Sequence, residues 1–153
     1  MDRAEFEQLY AAYSPDVYRL ALSYLHSPHD AQDICHDVFA KLLGRTITLP
    51  AEKEKAFLLT CTANACKDLL RSFWCTRVQP LDDTIFCATE EDKFLWDAIG
   101  KLPPKHRAVI HLYYYEGYSQ KQIAEILKIS RAAVQARMDR GRMQLKKELS
   151  QDV

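Results

Sequence analysis

The chain has 153 residues, 48% hydrophobic and 27% charged, with only 4 glycines and 6 prolines, a globular composition that leans helical and excludes disordered or collagen-like chains. No apolar run approaches the roughly 18 residues needed to cross a bilayer, and the opening Asp2, Arg3 and Glu5 do not read as a secretion leader, so a cytoplasmic location is expected. The net charge of zero hides an asymmetry: residues 96–153 carry 11 basic and 6 acidic side chains, a local positive field that favours a polyanion.

In chain order, Phe6, Leu9, Tyr10, Tyr13, Val17, Leu20, Ala21 and Tyr24 recur at helical steps, with Asp2 and Glu5 at capping-box spacing. Ser14-Pro15 is expected to restart this helix. Ser27-Pro28-His29-Asp30 supplies an N-cap, a proline at the first helical position and an acid in the first turn, so a second helix starts there and ends near Gly44. Its buried stripe reads Ala31, Ile34, Cys35, Val38 and Leu42. Asp30, Asp33, Asp37 and Lys41 fall on a polar flank, a candidate contact surface. After a loop from Arg45 to Pro50, a third helix is expected from about Ala51 to Trp74 through Phe57, Leu58, Cys61, Ala65, Leu69 and Phe73. Between Thr76 and Asp92 the periodicity fails and Asp82, Asp83, Glu90, Glu91 and Asp92 accumulate around Pro80. The expectation is all-α: a helical domain over 1–75, a flexible acidic linker over 76–93 and a second domain over 94–153.

The second domain opens with Leu95, Ile99 and Leu102, is broken by Pro103-Pro104, continues through Val109, Ile110, Leu112 and Tyr113, and stops at Gly117. Tyr113, Tyr114, Tyr115 and Tyr118 are read as core and boundary residues rather than a base-stacking platform. Ser119 and Gln122 then have capping-box spacing and open a short helix, Lys128-Ile129 interrupts it, and Ser130 can cap the next. Ala124 is small where two helices would cross, and Val134, Met138, Gly141 and Leu145 form the inward stripe of the second. This is a helix-turn-helix pattern. Between Ser119 and Lys147 eight basic residues stand against Glu125 and Asp139 alone. Arg131 and Gln135 near the helix start are the candidates for base contacts, because arginine pairs with guanine and glutamine with adenine through two hydrogen bonds each. Ala132 and Ala136 keep the surface low enough for a major groove. Arg137, Arg140, Arg142, Lys146 and Lys147 are candidates for phosphate.

Taken together, these segments resemble the small sigma factors of the extracytoplasmic-function (ECF) group of the sigma-70 family along most of the chain. DAQDICHDVFAKLL looks like the family's polymerase-binding helix, with Asp30, Ala31, Asp33 and Phe39 on its pattern. The resemblance implies that this helix grips the clamp coiled coil of the largest subunit of RNA polymerase core, with Asp30, Asp33, Asp37, Phe39 and Lys41 at the contact. AFLLTCTANACKDLLRSFW resembles the element that opens and captures the near promoter element, which implicates Asn64, Lys67, Asp68 and Arg71. The chain continues Ser72-Phe73-Trp74-Cys75 where family members often have a basic run. The segment from Leu102 to Leu145 resembles the domain that reads the far element of promoter double-stranded DNA, which assigns Ser130, Arg131, Ala132, Gln135, Arg137, Arg140, Arg142 and Lys146 to that contact. Gln122 stands for a common glutamate and Lys128 for a common glycine, the latter fitting a turn without positive φ. An anti-sigma factor is implied as a further partner.

Two other readings stay open: a helix-turn-helix regulator that never engages polymerase, and a sigma-like decoy that sequesters a protein. Polymerase pull-down separates the first, and absence of salt-dependent DNA binding favours the second. An enzyme is not expected, because Cys35 and His36 are helix neighbours pointing about 100° apart and no phosphate-binding glycine loop or HExxH occurs. Cys35, Cys61, Cys66, Cys75 and Cys87 contain no Cys-x-x-Cys pair, so packed thiols are expected, with no metal, cofactor or small-molecule substrate.

Overall fold

The computed structural model describes residues 2–43, 49–76 and 89–150. Its helices are α1 (Arg3–Leu25), α2 (Pro28–Leu42), α3 (Ala51–Thr76), α4 (Glu90–Gly100), α5 (Pro104–Ile110), α6 (Gln120–Leu127) and α7 (Arg131–Ser150), with a π turn at His111–Tyr115 after α5. The chain divides into two compact units, Met1–Asp83 and Thr84–Val153. The expected helix end at Gly44, most of the loop after it, positions 77–88 and the side chains of Phe73 to Thr76 lie outside the described residues.

In the first unit α1, α2 and α3 pack together. The Asp2 carboxylate accepts from the Glu5 amide at 2.8 Å and the Glu5 side chain accepts from the Asp2 amide at 3.3 Å, so α1 starts on a complete capping box. α1 then runs through Pro15 without restarting, contrary to the sequence expectation. Pro15 lacks an N–H for the Ala11 carbonyl, but Ala11 and Pro15 are both exposed, so water can take that acceptor while Val17, Leu20, Ala21 and Tyr24 hold the following turns in the core. The Ser27 hydroxyl accepts from the Asp30 amide and starts α2, whose buried stripe includes all five expected residues and Phe39.

The stripe expected on α3 is rotated. Its buried residues are Leu58, Leu59, Thr62, Ala63 and Cys66, whereas Phe57, Cys61, Ala65 and Leu69 are half-buried, about one residue round the helix. The inward face is interrupted in sequence by Thr62, whose hydroxyl donates to the Leu58 carbonyl at 2.7 Å and so needs no other partner in the core.

Both ends of the expected linker are helical: Thr76 is the last residue of α3, and Glu90, Glu91 and Asp92 form the first turn of α4. The Thr89 hydroxyl accepts from the Asp92 amide at 3.0 Å, and three carboxylates at that end oppose the positive pole of the helix. The second unit buries Ala98, Leu102, Ala108, Val109, Leu112, Ile123, Ile126, Leu127, Val134 and Met138. Gly141 of α7 lies against α5, where an added Cβ would meet Ile110 Cδ1 at 2.6 Å.

Lys128 closes α6 at φ +56°, in the left-handed region that the sequence reading did not require. Its N–H donates to the Ala124 carbonyl, a helix end that glycine adopts without a Cβ penalty. Lys128→Gly is expected to stabilise the second unit by about 1 kcal/mol, raising its thermal midpoint by roughly 4–8 °C in calorimetry. An unchanged or lowered midpoint would mean that the lysine side chain compensates for the strain.

Candidate nucleic-acid interface

The reading head is built by local capping. The Ser119 hydroxyl accepts from the Gln122 amide at 3.1 Å and the Gln122 side chain accepts from the Ser119 amide at 2.9 Å, so glutamine completes the box that fixes the start of α6. Ile129 N–H reaches back to the Ala124 carbonyl at 3.1 Å, and the Ser130 hydroxyl accepts from the Ala133 amide at 3.0 Å. The turn between α6 and α7 therefore spans only Lys128 to Ser130, and Ile123, Leu127, Val134 and Met138 close the angle between the two helices.

This geometry leaves one side of α7 outside. Ser130, Arg131, Ala132, Gln135, Arg140, Arg142 and Lys146 are exposed, and Arg137 is half-buried. Gln135, Asp139, Arg142 and Lys146 run along one flank and Arg137 and Arg140 along the other, with Ala132, Ala136 and Met143 between them. Arg131, Arg137 and Arg140 pair with no acid among the described residues, so their cationic groups are left for an external anion. Arg142 is engaged: it donates to Asp139 at 3.2 Å and to the Tyr114 hydroxyl at 3.0 Å, while Gln135 donates to the same Asp139 oxygen at 2.9 Å. Hydrogen bonds from Gln135 and then Arg142 hold the Asp139 carboxyl below its ordinary value, keeping it ionised.

Tyr114 was not foreseen here. Of the four tyrosines expected in core and boundary roles, Tyr118 is half-buried, whereas Tyr113, Tyr114 and Tyr115 are exposed by 37%, 57% and 61%. The π turn, closed by Glu116 N–H on the His111 carbonyl at 3.1 Å, winds this segment wider than an α-helix and turns them outward. Arg107 is a second surprise. It is 7% exposed and its guanidinium donates to the Leu102 and Gly100 carbonyls, tying down the end of α4, with burial pulling its pKa to about 10.

His106 lies beneath α7, its Cβ 3.4 Å from where a Gly141 Cβ would sit, and neither ring nitrogen has a hydrogen-bond partner among the described residues. Burial first, then the cations Lys105, Arg140 and Arg137, lower its affinity for a proton. The unfolded chain takes up that proton near the ordinary value of 6.5 and the folded one resists it, so this stability is full above that pH and is lost as pH falls. Urea midpoints should drop between about pH 7.5 and 5.5, and His106→Leu should flatten that drop for the second unit. An equal slope in the variant would assign the effect elsewhere.

In the first unit, Asp33, Asp37 and Lys41 are exposed along α2 and Asp30 is half-buried beside them. Phe39, expected at the polymerase contact, is instead 2% exposed, with its ring edge-on to Tyr10 at 4.9 Å and to Phe6 at 6.3 Å. It supports the helix from within. On α3, Asn64, Asp68 and Arg71 are exposed on one face, Arg71 is bonded to Asp68, and Lys67 is half-buried. Burial pushes the Cys35 and Cys66 thiols up, the behaviour of packed groups rather than nucleophiles.

The fold and this surface define a two-unit helical protein with a helix-turn-helix. Residues 9–74 match sigma-70 region 2 and residues 98–147 match sigma-70 region 4. The chain is 31% identical over 147 residues to the RNA polymerase sigma factor SigV of Bacillus subtilis (strain 168), covering 89% of this chain and 88% of SigV. It is 26% identical over 158 residues to the ECF RNA polymerase sigma factor SigE of Mycolicibacterium smegmatis, covering 95% of this chain but only 62% of SigE's length. Its fold is similar to that of the sigma factor RpoE in complex with the anti-sigma factor NepR from Bartonella quintana, with a TM-score of 0.78, 21% identity, and 97% and 99% of the two chains covered. The chain belongs to the sigma-70 family of transcription initiation factors, in its ECF group.

Proposed function

We propose that this chain binds core RNA polymerase through the acidic flank of α2 and directs promoter-specific initiation by placing α7 in the major groove of the far promoter element. The observation that carries this reading is the capped turn that holds α7 with Arg131, Gln135 and Arg140 outside and Val134 and Met138 inside. Arg131 and Gln135 read base edges; Arg137, Arg140, Arg142 and Lys146 meet phosphate, with Ser130 and Ala132 lining the approach. The exposed face of Asn64, Asp68 and Arg71, with Lys67 beside it, takes the near element. The protein works where the polymerase works, in the cytoplasm. An anti-sigma partner belongs to the same reading, since RpoE, similar in fold, was solved with its anti-sigma factor.

The test is transcription from a genomic fragment library by core polymerase with and without the chain. New starts sharing an upstream motif support the reading; polymerase binding without starts would indicate a decoy, and DNA binding without polymerase binding a stand-alone regulator. Within that assay Arg140→Ala should weaken all promoters alike and make the salt dependence shallower by about one unit of slope, whereas Arg131→Ala should change the preferred sequence.

A further inference from the structure

An acid on a recognition helix faces the wrong way electrostatically, since it repels the phosphates that its neighbours attract. Asp139 is such a residue, and it is held on two sides: Gln135 Nε2 donates to its Oδ1 at 2.9 Å and Arg142 Nη2 donates to the same oxygen at 3.2 Å. Arg142 Nη1 is in turn anchored on the Tyr114 hydroxyl at 3.0 Å, which ties the row to the π turn rather than to α7 alone. Exposed bonds of this kind contribute little to stability, so the arrangement calls for a different use.

We propose that Tyr114, Arg142 and Asp139 are positioning residues that orient the Gln135 amide for adenine and thereby set the base preference at one position of the far promoter element. The proposal rests on the reading of α7 as the promoter-recognition helix. An ionised carboxylate only accepts hydrogen bonds, so Asp139 draws the nitrogen end of the Gln135 amide toward itself and turns the oxygen end away. One N–H is then occupied, leaving a second N–H and the carbonyl oxygen. Adenine offers N7 as acceptor and its N6 amino group as donor, which is the complement of that pair. Guanine offers two acceptors, N7 and O6, and a glutamine with one N–H already committed cannot satisfy both. Released from Asp139, the same amide can turn over and accept either purine. Arg142 keeps three further N–H groups for phosphate, so holding Asp139 does not remove it from the DNA contact.

The experiment uses the full chain assembled with core polymerase on a promoter library randomised through the upstream element, sequencing the transcripts. Gln135→Ala first locates the position that Gln135 reads. Asp139→Ala is then expected to lower the adenine-to-guanine ratio at that same position by about three- to tenfold, while total initiation is kept or rises because a repulsive charge has gone. Asp139→Asn, which retains an acceptor oxygen, should restore part of the preference. Tyr114→Phe, which loses only the hydroxyl, should shift the same position by about twofold. If Gln135→Ala changes one position and Asp139→Ala leaves it untouched, the positioning role is overturned and the recognition-helix reading stands. If Asp139→Ala weakens every promoter equally, the residue is structural and the proposal fails. No change at any position in Gln135→Ala would overturn the base contact itself, and the proposal with it.

Discussion

Phe39→Ala is expected to destabilise the first unit by about 3–5 kcal/mol, read as a lowered midpoint in urea unfolding of the full chain followed by circular dichroism. The ring is 2% exposed and meets Tyr10 and Phe6 edge-on, so truncation leaves a cavity against two aromatic partners as well as losing the buried area of the ring itself. Small domains are commonly stable by about 5–15 kcal/mol, so the variant would retain little margin. Polymerase binding would fall with it, but through the fold. Phe39→Leu separates the two: it keeps most of the apolar volume at a cost of about 1 kcal/mol, and near-normal polymerase affinity is expected. A Leu variant that stays folded yet loses polymerase would return Phe39 to the contact itself.

The acidic flank of α2 gives the opposite pattern. Asp33→Lys combined with Asp37→Lys is expected to lower affinity for core polymerase by about 100-fold while changing stability by no more than about 0.5 kcal/mol. Both residues are exposed, and the one ion pair described at this pair of positions, His29 Nε2 to Asp33 at 3.5 Å, is an exposed contact of small value. Two reversed charges facing a complementary surface cost far more at an interface than in water, because like charges are brought together as solvent is removed. Titration of labelled chain with core polymerase measures the loss, and wild-type affinity in a folded variant would move the polymerase contact off this face.

What could be read in the sequence was what is local. Asp2 with Glu5, Ser27 with Pro28, Ser119 with Gln122 and Ser130 each announce a helix start through bonds to amides within three residues, so the chain order alone carries them. The α7 stripe was equally plain because Val134, Met138 and Gly141 are bounded by charges on both sides. On α3 the apolar residues run round most of the helix, and only packing against α1 and α2 decides that Thr62 points inward while Phe57 stays half-buried. Glu90, Glu91 and Asp92 look the same in sequence whether they are a solvated linker or a helix start; the Thr89 cap decides it. The bond from Arg142 to Tyr114 joins residues 28 apart across a π turn that leaves no periodic trace in the sequence, so no spacing could have revealed it. Pro15 was misread for the reverse reason: a local rule against proline yields where the orphaned carbonyl faces water.

The π turn also determines where this domain can change length. Between His111 and Tyr115 the backbone already holds more residues per turn than an α-helix, so losing one residue there lets the segment relax into regular helix. A residue gained inside α7 between Arg131 and Gln135 has no such outlet: it would rotate everything beyond it by about 100° and carry Arg137 and Arg140 into the places of Met138 and Gly141, where Ile110 and His106 crowd the helix. Natural variation in length should therefore collect at the tyrosines and be absent from the helix that follows.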